Sequence, residues 1–534
     1  MRRNIKIIIA ALFFLASFAY YLTYFRFTPN IVDEGILVDS ASRILHGQMM
    51  YRDFDHVYAP GRYYLLSLLF KIFGENFLVS RLMLMSFMSL SCALIFFISS
   101  QFTPIGFAVL PALILFFVPG QWHKTFEIFW PLLNLAVLVN YLKTHNIKWL
   151  LIFGVTSFFA LVFRQDIGLQ IIFIGVAVIL ASELIINKKA FLRRGMKRAL
   201  PYLAVMFLLA VPVIIYFGNA LPAMVHEMFF TTSSSMSLYR FPYPSLAESI
   251  RENGIINWET FNASLFYLPF APFLATACYL IVRLLKREFD GGALFLSSAL
   301  ALSSLISIKF FFMPNYSHLL EVIPFGYFFA AFFAYKLFDS LMREKNVYGR
   351  LPFAAILSMF FIFAGCFLYF NIVIMPNGIN NGSIAAAKEM QFPINSQSTK
   401  AYAKDEVINN VIREIDKYTK PGDYIYVFPQ SAIFYFMTGR KNPTRQDFNA
   451  PGVTDARAEE DIINSLKTKD VRLVIYDEVD TFLGTKRPPC QYYKNYASRA
   501  YVYIMSNYFM VAQEGRYNVL CKKPSSYQGG LGVM

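Results

Sequence analysis

The chain has 534 residues, of which 56% are hydrophobic, 18% aromatic and only 16% charged. Soluble domains carry about 25% charged residues, so this composition excludes an ordinary water-soluble globule. The formal net charge is +15, but the cations fall in short clusters between apolar runs, which argues against nucleic acid and for the positive-inside pattern that orients membrane spans.

A bilayer-crossing helix needs about 20 mostly apolar residues, and that criterion predicts about eleven spans. They run over 5–25, 77–99, 105–118, 128–142, 149–163, 167–186, 200–217, 265–282, 293–312, 319–338 and 351–374. The first is not followed by a small-residue cleavage site, so it reads as a retained span and not a removed signal peptide. The basic clusters are Arg2, Arg3 and Lys6; Lys188, Lys189, Arg193, Arg194, Lys197 and Arg198; Arg283, Lys286 and Arg287; and Arg343, Lys345 and Arg350. With the N-terminus inside, all of them fall inside, and an odd number of spans leaves the C-terminal region outside. Tyr63–Phe73 is apolar but short and carries Lys71. Counting it as a span would invert everything downstream, so it is expected to be interfacial or re-entrant.

The first external loop, 26–76, opens with adjacent carboxylates, Asp33 and Glu34. An amphipathic helix is expected to follow, with Ile36, Leu37, Ala41, Ile44 and Leu45 on one face and Asp39, Arg43 and His46 on the other. An aromatic-acidic run (Tyr51, Asp53, Asp55, His56) then leads to the turn Ala59-Pro60-Gly61 and to Arg62, Tyr63 and Tyr64. Two later external loops matter: 219–262, with the tract Tyr239 to Pro244, and 313–318, ending in His318.

After residue 375 the long apolar runs stop. Strand-like 424–428 and 471–477 alternate with helix-like 431–438, 455–467 and 497–509, with a hairpin-like end near 517–521, which predicts a small α/β domain. The expected organisation is a transmembrane domain over 1–375 and an external α/β domain over 376–534. No internal repeat or low-complexity tract is present. Of the five cysteines, Cys92, Cys278 and Cys366 lie in apolar runs. Cys490 and Cys521 both fall in the external region, where a disulfide between them is permitted.

Asp33-Glu34, the helical stretch to Gly47, Tyr51-Arg52-Asp53, Ala59 to Tyr64 and Phe73-Gly74 before Arg81 form one pattern. It resembles the first external loop of GT-C glycosyltransferases of the dolichyl-phosphate-mannose protein mannosyltransferase and aminoarabinose transferase type. Arg164-Gln165-Asp166-Ile167-Gly168 and the stretch 424–440 are similar to further segments of that family. The resemblance implies a polytopic α-helical GT-C protein with a polyprenyl-phosphate-linked sugar donor and catalysis on the outer face. For a bacterial chain that face is the periplasmic side of the inner membrane.

The resemblance places a general base at Asp33, and the chemistry agrees: an acceptor hydroxyl attacking an anomeric carbon must lose its proton, and a positioned carboxylate takes it. Single displacement inverts the centre and needs only one base. Asp33 is also a good helix N-cap. Glu34 is a second catalytic candidate, or a metal ligand, or a partner of Arg43. Positioned cations stabilise the leaving phosphate, and the candidates are Arg62, Arg164, Arg240 and His318. Arg164 abuts an apolar span, where an ionisable group is a functional candidate, or it pairs with Asp166. His318 and Glu321, three apart, form a pair or a ligand site. Asp166, Tyr63 and Tyr243 are candidate substrate contacts. A divalent metal stays open, with Glu34, His56 and His318 as candidate ligands and no tight metal motif. No glycine-rich nucleotide loop is present, as a lipid donor would have it. The expected acceptor is a hydroxyl of a glycan, lipid or protein. The rival readings are a flippase of lipid-linked sugars, for which Lys309 is the ionisable residue inside a span, and a polymerase or ligase using a diphosphate-linked donor.

Overall fold

The computed structural model describes residues 3–23, 25, 30–117, 122–186, 189–233, 243–255, 257–314, 316–344, 358, 361, 364–365, 406–478 and 497–524. Helices dominate up to residue 344: α1 (Arg3–Leu22), α2 (Asp33–Leu45), α3 (Gly61–Phe73), α4 (Phe77–Ser99), α5 (Ile105–Phe117), α6 (Thr125–Thr144), α7 (Ile147–Phe163), α8 (Gln165–Ile186) and α9 (Phe191–Phe217). They continue with α10 (Leu221–Val225), α11 (Leu246–Asn253), α12 (Trp258–Leu265), α13 (Phe270–Leu285), α14 (Gly291–Phe312) and α15 (Tyr316–Arg343). Eight helical stretches among the described residues are long and apolar enough to cross a membrane, and α5 and α7 are shorter apolar helices. Each coincides with an expected span; the last expected span, 351–374, lies almost wholly outside the described residues. The protein is therefore a multi-pass membrane protein.

Contacts group the chain into two units. The first, Met1–Phe25, Leu82–Tyr216 and Phe241–Ala386, holds most of the apolar helices. Its two ends are fixed by polar contacts. At one end, Lys6 of α1 donates to the Ser100 carbonyl. There too, Lys143 donates to Gln101 at 2.6 Å, and Arg198 reaches Glu183 at 2.7 Å and the His145 carbonyl at 2.9 Å. The other end carries the charged cluster described below. Gly168 lets α7 and α8 close up, since a Cβ there would lie 2.2 Å from Leu161 Cα.

The second unit comprises Arg26–Arg81, Phe217–Arg240 and Ala387–Met534. Its C-terminal part has α16 (Glu406–Tyr418), β1 (Ile425–Phe428), α17 (Ile433–Thr438), α18 (Ala456–Thr468), β2 (Leu473–Asp477), α19 (Ser498–Asn507), β3 (Tyr508–Glu514) and β4 (Tyr517–Lys522). The sheet order is β1-β2-β4-β3, parallel between β1 and β2 and antiparallel elsewhere. The two parallel strands are buried throughout, as strands covered on both faces must be. Tyr426, Phe428, Ile462, Leu466, Val474 and Ile504 lie at the centre of its core. This is the small α/β domain expected from the sequence. The expected helix over 497–509 ends at Asn507, and Tyr508 begins the first strand of the hairpin. Cys490 lies outside the described residues; Cys521 sits in β4.

Helix α2 differs from its expected amphipathic form. Residues Glu34 to Ala41 are all buried, because α3 packs on one side and α17 on another. Ser40 donates to Asp447 at 2.8 Å, and Arg43 pairs with Asp447. Asp39, expected on the polar face, is therefore in the interior.

Candidate active site

In the second unit, the site begins with how α2 starts. Asn30 caps it: its Oδ1 accepts from the Val32 and Asp33 amides at 3.1 and 2.9 Å. The Glu34 carboxylate accepts back from the Asn30 amide at 3.1 Å, a reciprocal arrangement that satisfies orphan amides at both residues. The capping role considered for Asp33 thus falls to Asn30. Asp33 is the first helical residue, exposed, and its carboxylate accepts a 3.0 Å bond from Asn30 Nδ2. The helix dipole favours a negative charge at that point.

Glu34 is placed differently. It is 1% exposed, and Arg81 Nε and Nη2 both donate to its Oε2, at 3.0 and 2.6 Å. Burial raises its carboxyl above the usual glutamate range, with Arg81 pulling the other way. Its partner is Arg81 and not Arg43. The same unit holds Arg62 and Tyr63 at the start of α3, both buried. Tyr63 lies against His56, with ring centroids 4.4 Å apart.

In the first unit, four chain segments bring charges together at one end of the bundle. Arg164 pairs with Glu127 at 2.9 Å and with Asp166 at 2.8 Å. Glu321 lies 3.1 Å from Lys124 and 3.7 Å from Lys309, and His318 Nδ1 is 2.9 Å from Glu321 and 3.3 Å from Lys124. The pairs Arg164–Asp166 and His318–Glu321 had a sequence signal in their spacing. Lys124 and Glu127 were missed, although a Lys and a Glu at the mouth of a span is the same signal that marked Arg164. Lys309 is in the last turn of α14, not at mid-span. Tyr243 donates to the Phe266 carbonyl at 2.7 Å and stacks on Phe311. Arg240 lies outside the described residues. Among the described residues, no group of three or more His, Cys, Asp or Glu side chains is arranged to hold a metal ion.

No family model matches the sequence, and no curated protein matches it. Solved structures do. The apo oligosaccharyltransferase of Archaeoglobus fulgidus matches with a TM-score of 0.52 at 15% identity, over 99% of this chain and 75% of that one. The same enzyme in complex with Zn and sulfate matches with a TM-score of 0.50 at 14% identity, over 96% and 72%. ArnT from Cupriavidus metallidurans in the apo state matches with a TM-score of 0.48 at 11% identity, over 97% of both chains. The oligosaccharyltransferase likeness shows the fold: the chain shares the multi-pass helical architecture of those structures, with a small α/β domain at its C-terminal end, as expected from the sequence.

Proposed function

We propose that the protein is a membrane glycosyltransferase that moves a sugar from a polyprenyl-phosphate carrier to a hydroxyl of a glycan, lipid or protein. The reaction takes place on the periplasmic face of a bacterial inner membrane, with inversion at the anomeric carbon. Asp33 is the general base; Arg164 and His318, with Lys124 and Lys309, serve the leaving phosphate, Arg62 contributes from the first loop, and Asp166 and Tyr243 contact substrate. The observation that carries this reading is the contrast within the acidic pair. Glu34 is 1% exposed and held by Arg81 and Asn30, while Asp33 is exposed to solvent at the start of the helix and accepts a bond from Asn30. A solvent-exposed carboxylate is within reach of an acceptor hydroxyl and can accept its proton; one sealed from solvent is not. The GT-C fold supports a lipid-linked donor. A flippase is less well supported, because Lys309 belongs to a charge-balanced cluster at a helix end.

The test is mass spectrometry of lipids that co-purify with the gently solubilised full chain, wild type against Asp33→Asn. A polyprenyl-phosphate sugar enriched on the variant, with transfer lowered about 10²–10⁴-fold as for loss of a general base, is the expected result. A diphosphate-linked oligosaccharide would point to a polymerase or ligase instead. Full turnover by folded Asp33→Asn would sink the assignment of the base.

A further inference from the structure

Four arginines are buried among the described residues: Arg62, Arg81, Arg164 and Arg440. Arg81 holds Glu34, Arg164 holds Glu127 and Asp166, and Arg440 holds Asp416. Arg62 is the exception. It is 7% exposed, no carboxylate among the described residues lies within ion-pair distance, and its Nε has no hydrogen-bond partner. Its contacts are the faces of Tyr58 and Tyr63, with Cζ 4.6 and 4.9 Å from the ring centroids. A largely buried charge left without a counter-ion is expensive, and aromatic faces offset only part of that cost.

His56 stands beside it. It is 2% exposed, and its Nδ1 accepts from the Tyr58 amide at 3.1 Å. That bond puts the ring proton on Nε2, and Nε2 has no partner. His56 and Arg62 both lie against the ring of Tyr63. Burial, reinforced by the nearby cations Arg62 and Arg43, holds the imidazole well below its usual pKa, so it stays neutral and presents an N–H. Arg62 also lies in the first turn of the 13-residue helix α3, which has no side-chain cap, and the dipole of that helix adds positive potential at the same place. The guanidinium and the imidazole N–H thus both lie against the Tyr63 ring, beside the N-terminus of α3; Glu227, which like Arg62 acts on Tyr51, is the carboxylate in the neighbourhood, and it pairs with His226 and not with Arg62.

We infer that Arg62 and the Nε2–H of His56 form a binding site for one phosphate-type oxyanion, with His56 as a hydrogen-bond donor and not a metal ligand. The site deepens the transfer reading, and rests on it only if the anion is the headgroup of the lipid carrier. A free phosphate would occupy the same donors with no lipid attached.

The test is thermal unfolding of the full chain in a zwitterionic detergent, titrated with inorganic phosphate or farnesyl phosphate against chloride at matched ionic strength. Wild type is expected to melt higher with either phosphate and not with chloride. His56→Phe is expected to weaken the apparent affinity at least about tenfold, the size of one hydrogen bond to a charged group, and His56→Gln, which keeps a donor, to weaken it less. Arg62→Met is expected to abolish the shift while melting no lower than wild type in phosphate-free buffer, because it removes an uncompensated charge. An Arg62→Met protein that melts lower, or fails to fold, would show the guanidinium to be structural and overturn the site. So would a wild type indifferent to phosphate, or a shift untouched in both variants. Farnesyl phosphate acting at much lower concentration than inorganic phosphate identifies the lipid headgroup; equal potency identifies a soluble oxyanion. Neither outcome bears on Asp33, whose test is the lipid analysis, so the two readings can fail separately.

Discussion

Adjacent residues in a chain can have opposite fates, and Asp33 and Glu34 show how. Glu34 accepts three bonds at a single oxygen in a place sealed from water. Breaking a buried pair on one side costs about 3–5 kcal/mol, whereas replacing both partners with apolar groups is often near neutral. Glu34→Gln is therefore expected to lower the stability of the full chain by that amount in denaturant or thermal unfolding, and Glu34→Leu with Arg81→Met, which replaces both partners with apolar groups, to recover most of it. The sequence made the acidic pair legible but not the division of labour, because Arg81 lies 47 residues further on. His56 provides a pH prediction. Its pKa in the folded chain is held well below the ordinary 6.5, so the unfolded chain binds a proton that the folded chain refuses. The stability this confers is fully present above about pH 6.5 and is lost as pH falls from there towards the folded-state value, at up to about 1.4 kcal/mol per pH unit. In phosphate-free buffer, the unfolding midpoint of wild type should drop across pH 6.5–5.5, and His56→Phe should flatten that drop. An identical slope in the variant would assign the effect to another group.

At the scale of the element, α2 is the piece whose surroundings the sequence hid. Its pattern has an apolar face and a polar one, and a reader of the pattern alone turns Asp39 and Arg43 towards water. The residues that cover that polar face, Thr444 to Asp447, come some 400 positions later, and pairing at that separation leaves no local trace. The helix also carries a steric constraint. A Cβ on Gly35 would lie 2.7 Å from the Ile433 amide nitrogen and 2.9 Å from its Cβ, so α2 can sit against the start of α17 only with glycine there. Both contacts involve backbone or a Cβ and cannot swing away. Gly35→Ala should cost about 1–3 kcal/mol, as overpacking does, and should lower turnover more than substrate affinity, because the helix it displaces begins with Asp33. Unchanged kcat in a folded Gly35→Ala protein would separate the packing of α2 from catalysis. The α/β strands were easier to read, since the buried runs at β1 and β2 are short, apolar and bounded by turns.

At the scale of the molecule, the question is which way the helices of the membrane unit run, and the polar contacts at its two ends answer it helix by helix. Lys6 at the start of α1 meets Ser100 just after α4, and Gln101 meets Lys143 at the end of α6. These chain points share one end with His145 and Arg198. Lys124 and Glu127 at the start of α6 share the other end with Arg164, Lys309 and Glu321. The 13 residues of α5, short by the length criterion, must therefore run from the first end towards the second, and α7 must run antiparallel to α6. The 13 residues of α3, by contrast, rise only about 20 Å against a hydrocarbon core of about 30 Å, so α3 does not reverse the count. The described cations of the basic clusters, Lys6, Arg193 to Arg198, Arg283 to Arg287 and Arg343, then belong to the end that carries Lys6 and Arg198, which the positive-inside rule predicts to be cytoplasmic. This yields a prediction for single-cysteine variants in a chain whose five cysteines have been replaced. Glu288→Cys, an exposed position between α13 and α14, should react with a membrane-impermeant maleimide only after the membrane is permeabilised. Glu252→Cys on α11 and Glu460→Cys on α18, both exposed, should react in intact cells whose outer barrier has been opened. The reverse pattern at Glu288 and Glu252 would put the Arg164–Glu321 cluster in the cytoplasm. A reversal at Glu460 alone would overturn the expected external placement of the α/β domain.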